Sequence, residues 1–595
     1  KGKHILQLPE PERIAGYYED IQLYAIPLRN SVRTSHTDKP VVSSSYNEDL
    51  QRLSIKNNKQ AFATSQPGWI QYTFSQPFSA NALKIEWNAS NYQANRLKVL
   101  VSDDGAHFKE LTQLQSPRMG WLDWDNGVTH TIPYSTAKVF RFVYDPAGSE
   151  PGAEDLDFAK WKPSLKLLGI TLFEEPRVNQ YEGKTGEIWR VSVPTDPSWV
   201  YKPNVIQSET LRILPKPSPD GRVEIDLPQG IWKIVRMGHT STGHKNETAG
   251  AAKGLECDKL DADAMAFQFE QWYGKAKQMV DPAVSKDVLT VYHIDSWESG
   301  SQNWTKHMPA EFQSRRGYAL DRFLPVLAGY VVGDVSTSEA FLHDYRQTIA
   351  ELLEEKGFQT LRRMADKYGV QFTAETTAPV MASDGLSHFR FTDRTMGEFW
   401  FRSPSHDKPN DILDAISGGH IYGKNVVMSE AFTQIRMQWD EHPRLLKPVQ
   451  DRNYALGVNN LAYHVYVHNP WMDRKPGMTL DGVGLYFQRD QIWWKPGKAW
   501  VDYAIRAQQL LQHGTPVRDI AVFIGEEIPR RAVLPDRLVH ALPGIIGNER
   551  VRRTDSLLRN TGQPLQKIAS VTTSANMYQP EDWISLGAVW AMALL

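Results

Sequence analysis

Four acidic residues stand just after short apolar stretches of this sequence, where their carboxyl groups could act as acids and bases. They are Asp295, Glu298, Glu375 and Glu430. The apolar stretches, at 288–291, 371–374 and 425–429, are rich in β-branched and aromatic residues, which predicts buried strands. Cleavage of a glycosidic bond needs one carboxyl group to protonate the leaving oxygen and a second to attack the sugar or activate water. The four residues supply enough groups for that reaction, although a single glutamate in such a place is more often a solvated loop residue.

The elements between these stretches predict how the acids would be brought together. Helical periodicity runs through 264–280 and 338–368, and Gly369 is placed to end the second helix as a C-cap. A further helix at 411–420 leads into the strand before Glu430, so strands and helices alternate. In a β/α barrel the C-terminal ends of all strands meet at one mouth, which would place the four acids around one substrate.

The alternation predicts a multidomain α/β protein built around a (β/α)8-type barrel that is truncated at its N-terminal strands. Two more units are expected after Glu430, with strands at 464–468 and 520–524. Five or six βα units are therefore visible from residue 230 onward. Because a complete barrel needs eight, we expect the first strands upstream of Lys1 or at its edge.

Residues 68–175 carry short alternating strands separated by turn residues, a spacing typical of a β-sandwich. The turn Ser102-Asp103-Asp104-Gly105, followed by Phe108, resembles galactose-binding-like, or discoidin-type, sandwiches. Such modules often bind sugars, but an inserted module can also be purely structural, and both roles remain open. The predicted domains are a barrel segment and linker at 1–47, the inserted all-β sandwich at 48–180 and the barrel at 181–595.

Aromatic and polar residues beside the acids are candidates for binding a sugar. The sequence contains 19 Trp, and sugar faces stack on flat rings, although most tryptophans belong to cores or interfaces. Trp297 and Trp304 flank Glu298, while His468 and Trp471 follow another predicted strand. The predicted substrate-binding residues are Asp295, Trp297, Trp304, Glu375, His468 and Trp471.

Composition and motifs exclude several other classes of protein. A net charge of −2, with 23% charged residues, lacks the basic field of a nonspecific nucleic-acid-binding protein. No apolar run reaches the roughly 18 residues that span a bilayer. The sequence has no phosphate-binding glycine loop, dinucleotide glycine pattern, hydrolase serine elbow or zinc-protease helix motif. His239 and His244 could hold a metal, but no cysteine or third histidine lies near them in the sequence.

The start of the chain indicates a processed or truncated piece. Its first residue is Lys1 rather than Met, and no signal-type apolar segment follows. Cys257 is the single cysteine, so no intrachain disulfide reports on the redox compartment, and periplasm and cytosol both stay compatible. We expect a periplasmic or secreted bacterial protein whose signal peptide is not in this chain.

Seven separated motifs resemble those of the glycoside hydrolase family 106 α-L-rhamnosidases. In chain order they are Asp-Ser-Trp-Glu at 295–298, Asn-Trp-Thr at 303–305, Arg-Arg-Gly-Tyr at 315–318, Leu-Pro at 324–325, Ala-Glu at 374–375, Ser-Glu-Ala-Phe-Thr at 429–433 and His-Asn-Pro-Trp at 468–471. The likeness extends from 16–18, across the predicted sandwich, to about Trp583. Several motifs in the right order are far more specific than one Asp-x-x-Glu pattern.

This resemblance implies an exo-acting, inverting enzyme that removes terminal α-L-rhamnosyl residues from plant or algal polysaccharides or rhamnosylated glycosides. It also implies a calcium ion that helps to hold the sugar, with ligands that are not assigned. By position, Glu298 matches the general acid and Glu430 the base that activates water, while Glu375 and Asp295 match further site carboxylates. An inverting enzyme would hold the two catalytic carboxyl groups roughly 6.5–9.5 Å apart.

Two alternatives stay open at this point. Another barrel glycosidase, such as a retaining β-galactosidase-like enzyme, also carries paired glutamates at strand ends. A non-catalytic carbohydrate-binding protein could be as rich in aromatic residues, but it would not need several carboxylates at one rim. In every case the expected partner is a carbohydrate.

Overall fold

The computed structural model describes most of the chain between residues 2 and 521. The described ranges are 2–86, 97–115, 127–146, 164–189, 192–246, 253–377, 382–402, 409–434, 437–475, 477–480 and 483–521. The chain divides into two compact units. The first comprises residues 1–150, 162–261 and 299–351, and the second comprises 151–161, 262–298 and 352–595.

The first unit is built mainly from antiparallel strands. They are β1 (Gly2–Gln7), β2 (Tyr18–Leu28), β3 (Val41–Ser44), β4 (Phe62–Thr64), β5 (Gly68–Glu86), β6 (Lys98–Ser102), β7 (Lys109–Gln113), β8 (Val128–Tyr144), β9 (Leu165–Leu167), β10 (Gly169–Phe173), β11 (Arg212–Leu214), β12 (Arg222–Leu227) and β13 (Ile231–Thr240). Strands β10-β5-β8-β6-β7 form one sheet with β3 paired to β5, and β4 pairs with β9. Both sheets contribute to one hydrophobic core, for example Tyr72 and Phe140 from the large sheet and Phe62 and Leu167 from the small one. This is a β-sandwich, as the strand spacing predicted.

Two smaller antiparallel groups complete the strands of the first unit. Strand β2 lies between β11 and β13, and β1 pairs with β12. Leu23, Ala25 and Leu214 pack together with Val223 and Ile225, so these strands share a second hydrophobic core.

The second unit contains five parallel strands. They are β14 (Val291–Ile294), β15 (Gln371–Ala374), β16 (Arg394–Trp400), β17 (Val427–Thr433) and β18 (Asn460–Tyr463). They are hydrogen-bonded to one another in chain order, as successive strands of a β/α barrel would be. Closure into a (β/α)8 barrel remains a prediction, and so do the domain boundaries 1–47, 48–180 and 181–595.

Eleven α-helical segments occur in the described ranges. They are α1 (Ser35–Asp38), α2 (Tyr181–Lys184), α3 (Ala262–Phe269), α4 (Lys275–Met279), α5 (Pro282–Val288), α6 (Met308–Arg316), α7 (Val335–Leu352), α8 (Gln359–Tyr368), α9 (Pro409–Ile421), α10 (Pro443–Leu456) and α11 (Lys498–Leu511). Short π-helical turns at 270–274 and 353–358 join α3 to α4 and α7 to α8. Among these helices, none has the length and apolarity that crossing a bilayer would require.

The predicted helices agree with the structure to within a few residues, because their apolar periodicity is strong. The helix predicted at 338–368 occurs as α7, a π-helical turn and α8. Gly369 ends α8 with a φ of 63°, and its N–H donates to the carbonyl oxygens of Ala365 and Asp366. A left-handed C-cap of this kind favours glycine, as the sequence indicated.

Several strand predictions differ from the structure. The strand placed at 425–429 is β17 at Val427–Thr433, so Glu430 lies inside the strand rather than after it. The strand placed at 288–291 begins only at Val291, since α5 continues through Val288. The strand placed at 464–468 is instead β18 at Asn460–Tyr463. Residues 464–468 are not in a strand, although His464 and Val465 exchange backbone hydrogen bonds with Leu485. Strand β16 was not predicted. Of the strand placed at 520–524, residues 520 and 521 are not in a strand and 522–524 lie outside the described ranges.

Hydrophobic packing decides which way the side chains of β16 and β17 point. Phe399, Val427 and Ala431 belong to a core that also holds Ile412 of α9 and Trp500 of α11. Successive side chains on a strand point to opposite faces. The residues that alternate with these core positions therefore point to the face of the sheet away from the helices.

Candidate functional site

Glu398 of β16 and Glu430 of β17 lie side by side on that second face. The two residues are direct partners in the parallel strand register, and the charge of Glu398 and a hydrogen bond with its carboxyl group are among the causes that raise the pKa of Glu430. A hydrogen bond between two carboxyl groups requires a proton on one of them. The strand register therefore creates a pair of neighbouring acids in which protonation of one member is favoured.

Gly397 allows the strand under this pair to approach helix α9 closely. A Cβ atom at Gly397 would lie 2.5 Å from the carbonyl oxygen of Asp411, closer than real Cβ contacts allow. Only glycine fits at this position without moving the backbone. The close contact between Gly397 and α9 thus fixes the position of the backbone from which the side chain of Glu398 projects.

Asp295 and Glu375 form a second carboxyl pair, at the ends of β14 and β15. Ile294 and Ala374 are partners in the register, and the Glu375 N–H donates to the carbonyl oxygen of Ile294 at 2.9 Å. Donor atoms of Asp295 and Glu375 lie within 4.8 Å of each other, and the interaction with Asp295 raises the pKa of Glu375. The N–H of Ser296 donates to Oδ1 of Asp295 at 2.9 Å, which orients the aspartate.

Burial and like charge make Glu375 hard to ionise. Its residue surface is only 2% exposed, and Oε1 finds no hydrogen-bond partner among the described residues. Desolvation raises the pKa of Glu375 well above its ordinary value, and the charges of Glu430, Asp295 and Glu398 raise it further. The same electrostatic interactions show that all four acids lie close together.

Glu430 lies beside three polar side chains, those of Glu398, Thr433 and His464. Desolvation and the neighbouring Glu398 raise its pKa to about 8, while a hydrogen bond from Thr433 lowers it. Oγ1 of Thr433 donates to Oε1 of Glu430 at 2.7 Å, and Nδ1 of His464 lies 3.6 Å from the same oxygen. Burial lowers the pKa of His464, so its imidazole is neutral near pH 7 and can exchange a hydrogen bond without adding charge.

A β-bulge in β17 brings Thr433 to the side of Glu430. The pairing shifts so that Phe399 faces Ala431 and Trp400 faces Thr433, which leaves Phe432 as an extra residue. Phe432 has a φ of 70°, which is unusual for an aromatic residue. Its ring is buried in the hydrophobic core of the second unit. The bulge therefore resets the alternation of side chains between Glu430 and Thr433.

One group of donors in this cluster could hold a metal ion. Donor atoms of His293, Asp295 and Glu375 all lie within 4.8 Å of one another, and Nδ1 of His293 is 2.9 Å from Oγ1 of Thr373. Calcium takes oxygen ligands, so the two carboxylates fit it and the imidazole does not. The unpartnered Oε1 of Glu375 and the mutual repulsion of four acids are both features that a bound cation would relieve.

The predicted acid Glu298 and its neighbour Trp297 lie in the loop that follows β14. Glu298 stands four residues beyond Ile294 and is exposed, and Trp297 is partly buried. Exposure is compatible with a group that must meet a substrate. The roles of both residues remain predictions.

The other predicted binding residues, Trp304, His468 and Trp471, lie outside the strands that carry the acids. Trp304 belongs to the first unit, where its ring centroid lies 5.9 Å from that of His239. His468 and Trp471 lie in the irregular segment after β18, and both are exposed. Arg474 lies over the ring of Trp471, 5.3 Å from its centroid. Their contribution to substrate binding is still a prediction.

Sequence reasoning missed three residues that contact Glu430: Glu398, Thr433 and His464. A signal for Glu398 existed, because Thr395, Phe399 and Trp400 have the β-branched and aromatic character of a strand. No local signal marks Thr433, since a residue three positions along a regular strand points to the opposite face. His464 was read as part of a strand, whereas β18 ends at Tyr463.

The arrangement can support acid–base chemistry on a neutral, hydroxylated substrate. It combines closely spaced carboxyl groups with raised pKa values, a neutral imidazole and an exposed carboxylate in the adjoining loop. Groups with strongly shifted pKa values that cluster in one place are typical of catalytic sites. Nothing in this set of described side chains supplies a nucleophilic Ser–His pair or a thiol.

Comparisons with known proteins agree with this chemistry. A sequence model of glycoside hydrolase family 106, described as alpha-L-rhamnosidase, matches residues 3–546. The solved rhamnosidase from Novosphingobium sp. PP1Y superposes with a TM-score of 0.69 at 25% identity, covering 84% of this chain and 46% of that one. A Formosa agariphila protein named "Putative beta-glucuronidase" is 39% identical over 319 residues, which cover 53% of this chain and 26% of that protein. The chain thus spans about half the length of the first relative and about a quarter of the second.

Proposed function

Since this chain belongs to the glycoside hydrolase family 106 α-L-rhamnosidases, we propose that it hydrolyses terminal α-L-rhamnosyl residues with inversion at the anomeric carbon. The buried carboxyl cluster around Glu430 is the observation that supports this most strongly. Its pKa of about 8 gives Glu430 a high affinity for a proton once it is ionised, which suits a base that activates water. The expected substrates are rhamnosyl groups of plant or algal polysaccharides and rhamnosylated glycosides.

In the proposed reaction Glu298 and Glu430 act on opposite sides of the sugar. Glu298 gives a proton to the glycosidic oxygen as the bond to the anomeric carbon breaks. Glu430 takes a proton from a water molecule whose oxygen attacks that carbon from the other face, so the sugar leaves as the opposite anomer. Glu430 begins the next turnover after releasing its proton, and Glu298 after regaining one.

Thr433 and Glu398 would position Glu430 for this task. Thr433 donates to one oxygen of Glu430, which favours the ionised form and holds the carboxyl group in one rotamer. Glu398 opposes ionisation by its own charge. Glu398 raises the pKa of Glu430 and Thr433 lowers it. Glu430 is therefore a strong base once it is ionised, and the Thr433 hydrogen bond favours that ionised form.

Calcium is the second part of the proposal, with Asp295 and Glu375 as its protein ligands. A bound calcium ion would offset negative charge in the cluster and accept sugar hydroxyls as ligands. The buried, unpartnered oxygen of Glu375 supports a cation at this position. His293 would orient the site through Thr373 rather than ligate the ion.

The proposal also includes a (β/α)8 barrel of which β14 to β18 are five strands, and a periplasmic or secreted location. A glucuronidase activity is a second candidate, because one relative carries that name. The clustered acids around Glu375 argue against it, since they would repel the carboxylate of a glucuronide. Rhamnose has no such charge.

A panel of aryl glycosides followed by proton NMR tests both the substrate and the stereochemistry. We expect hydrolysis of the α-L-rhamnoside with the β-anomer of rhamnose formed first. Prompt formation of the α-anomer would replace inversion by retention. Activity only on the β-D-glucuronide, or on no member of the panel, would contradict the proposed substrate.

A further inference from the structure

The first unit contains a cleft of about 580 Å³ that shares no residue with the carboxyl cluster. Two backbone segments, 26–32 and 201–207, form two of its sides, and Tyr134, Glu174, Glu175 and Thr210 complete the lining. All of these residues lie within the first unit. The volume falls in the range of sites for small ligands.

Two stacked tyrosines form an aromatic surface in this cleft. The ring centroids of Tyr134 and Tyr201 are 4.1 Å apart and the rings are 11° from parallel. The two residues remain 36% and 38% exposed, although stacked aromatic rings are usually found in cores. Mutual stacking holds the rings in place, so they offer a preformed flat surface at little cost in conformational entropy.

Neighbouring acids in the lining differ sharply in their contacts. Glu175 is paired with Lys233 and, at 3.3 Å, with Arg177. Both cations also lie over the ring of Tyr330, at 5.1 and 3.9 Å from its centroid. Glu175 is therefore fully engaged within the protein and forms a rigid part of the wall.

The carboxyl group of Glu174, in contrast, interacts with the backbone N–H and the charge of Arg33, which leaves further lone pairs for a ligand. Its backbone is held, because its N–H donates to Arg33 O at 3.2 Å and its carbonyl accepts from Nδ2 of Asn204 at 3.5 Å. Its side chain makes no hydrogen bond or ion pair with any side chain of the described ranges. Partial burial raises the pKa of Glu174, and a polar ligand that donates to it would recover the lost hydration.

Further polar groups around the tyrosines are also available. Asn30, Arg29 and Lys202 line the cleft and are exposed. Their side chains have no hydrogen-bonding partner among the residues that the structure describes. A flat aromatic surface with a carboxylate, an amide and cationic donors around it matches a ring that has an apolar C–H face and a rim of hydroxyl groups. Charges of both signs suit hydroxyl groups, which donate and accept, better than a polyanion.

We propose that this cleft binds a neutral sugar unit of a glycan chain, with the C–H face on the Tyr134–Tyr201 pair and hydroxyl groups donating to Glu174. The site would act as a glycan-binding cleft that performs no chemistry. It does not depend on the proposed rhamnosidase activity, because none of its residues takes part in that reaction.

Affinity electrophoresis of the full chain in native gels tests this site. The gels contain neutral polysaccharides without rhamnose, namely galactan, xylan, mannan or mixed-linkage glucan, so that the carboxyl cluster does not contribute. Polygalacturonate is the acidic comparison. We expect at least one neutral polysaccharide to retard the protein, and the Tyr134→Ala/Tyr201→Ala double variant to lose that retardation.

Glu174→Gln is the second variant, because it keeps size and shape but removes the acceptor charge. With an oligosaccharide of the retarding polysaccharide, calorimetry should give a Kd at least fivefold weaker for Glu174→Gln. Trp272→Ala is the matched control, since it removes an exposed ring from the second unit and should bind normally. All variants should hydrolyse an aryl α-L-rhamnoside at the parental rate, so a failure of the proposed activity would be seen separately.

Three results would overturn the proposal. They are no retardation by any neutral polysaccharide, retardation by polygalacturonate alone, and retardation that survives both cleft variants. The last result would place glycan binding elsewhere, for example in the sandwich.

Discussion

Thr433 donates a 2.7 Å hydrogen bond to Glu430, although the two residues stand three positions apart on strand β17. On a regular strand such residues point to opposite faces. The bulge at Phe432 removes this conflict, and the buried Phe432 ring anchors the bulge in the core. The core packing of one residue thus sets the electrostatic environment of the proposed base.

Removal of the Thr433 hydroxyl should change the pH profile of activity. Thr433→Val deletes a hydrogen bond that favours ionised Glu430, so the pKa of Glu430 should rise. A bond to a charged group contributes about 1.5 kcal/mol or more, which corresponds to about one pH unit. The acidic limb of kcat/KM for an aryl α-L-rhamnoside should therefore move up by about one unit. Thr433→Ser, which retains the hydroxyl, should leave the limb in place, and an unmoved limb in Thr433→Val would contradict this role.

The two proposed catalytic acids should respond differently to the leaving group. Glu298→Gln and Glu430→Gln should each lower kcat by about 10²–10⁴-fold on a substrate with a poor leaving group. A dinitrophenyl leaving group departs without protonation, so it should restore most of the rate to Glu298→Gln and little to Glu430→Gln. Stopped assays with both substrates measure this, and thermal unfolding checks that the variants fold. The reverse pattern would exchange the two roles.

The free energy of unfolding should fall as pH rises from about 4.5 to about 8, because the pKa of Glu430 is raised in the folded protein. The folded protein holds this proton up to about pH 8, whereas the unfolded chain releases it near 4.5. The stabilisation is therefore fully present below pH 4.5 and is lost as pH rises through that window, by at most about 1.4 kcal/mol per pH unit.

The difference in Tm between wild type and Glu430→Gln isolates this effect, with a chelator present throughout. We expect the Tm of the wild type to fall relative to that of Glu430→Gln as pH rises from 5 to 8. His293 and His464 have lowered pKa values and act in the opposite direction below pH 6.5, but they are common to both proteins. A difference that is constant with pH would mean that Glu430 titrates normally.

Calcium should stabilise the protein more at pH 8 than at pH 5. The proposed ligand Glu375 has a strongly raised pKa, so binding must displace a proton that is held tightly at low pH. The shift in Tm on adding calcium after chelation measures this at both pH values. Magnesium should give a smaller shift, because it requires a tighter octahedral site.

Glu375→Gln provides the matched variant for the calcium experiment. It imitates the neutral form that burial already favours, so the fold should be kept while the calcium-dependent shift disappears. An unchanged shift in Glu375→Gln would place the ion away from this carboxyl group. No shift in the wild type, together with full activity after chelation, would remove calcium from the proposal.

Much of the second unit could be read from local patterns. Apolar periodicity located α7 and α8, the helix placed at 411–420 corresponds to α9, and glycine at 369 marked a helix end. The acids after apolar runs were recognised as a group, and the structure brings Asp295, Glu375 and Glu430 together. These features depend on residues close in sequence, so local reasoning reaches them.

Which acids pair, and with what partners, was decided only by the tertiary structure. Strand register placed Glu398 beside Glu430, the bulge at Phe432 turned Thr433 towards the same carboxyl group, and the early end of β18 left His464 beside it. Sequence alone determined the family motifs, several helices and the acids that directly follow β14 and β15, because each is encoded by neighbouring residues. Register and bulges depend on contacts between distant segments, and burial in that packed arrangement is what raises the pKa of Glu430.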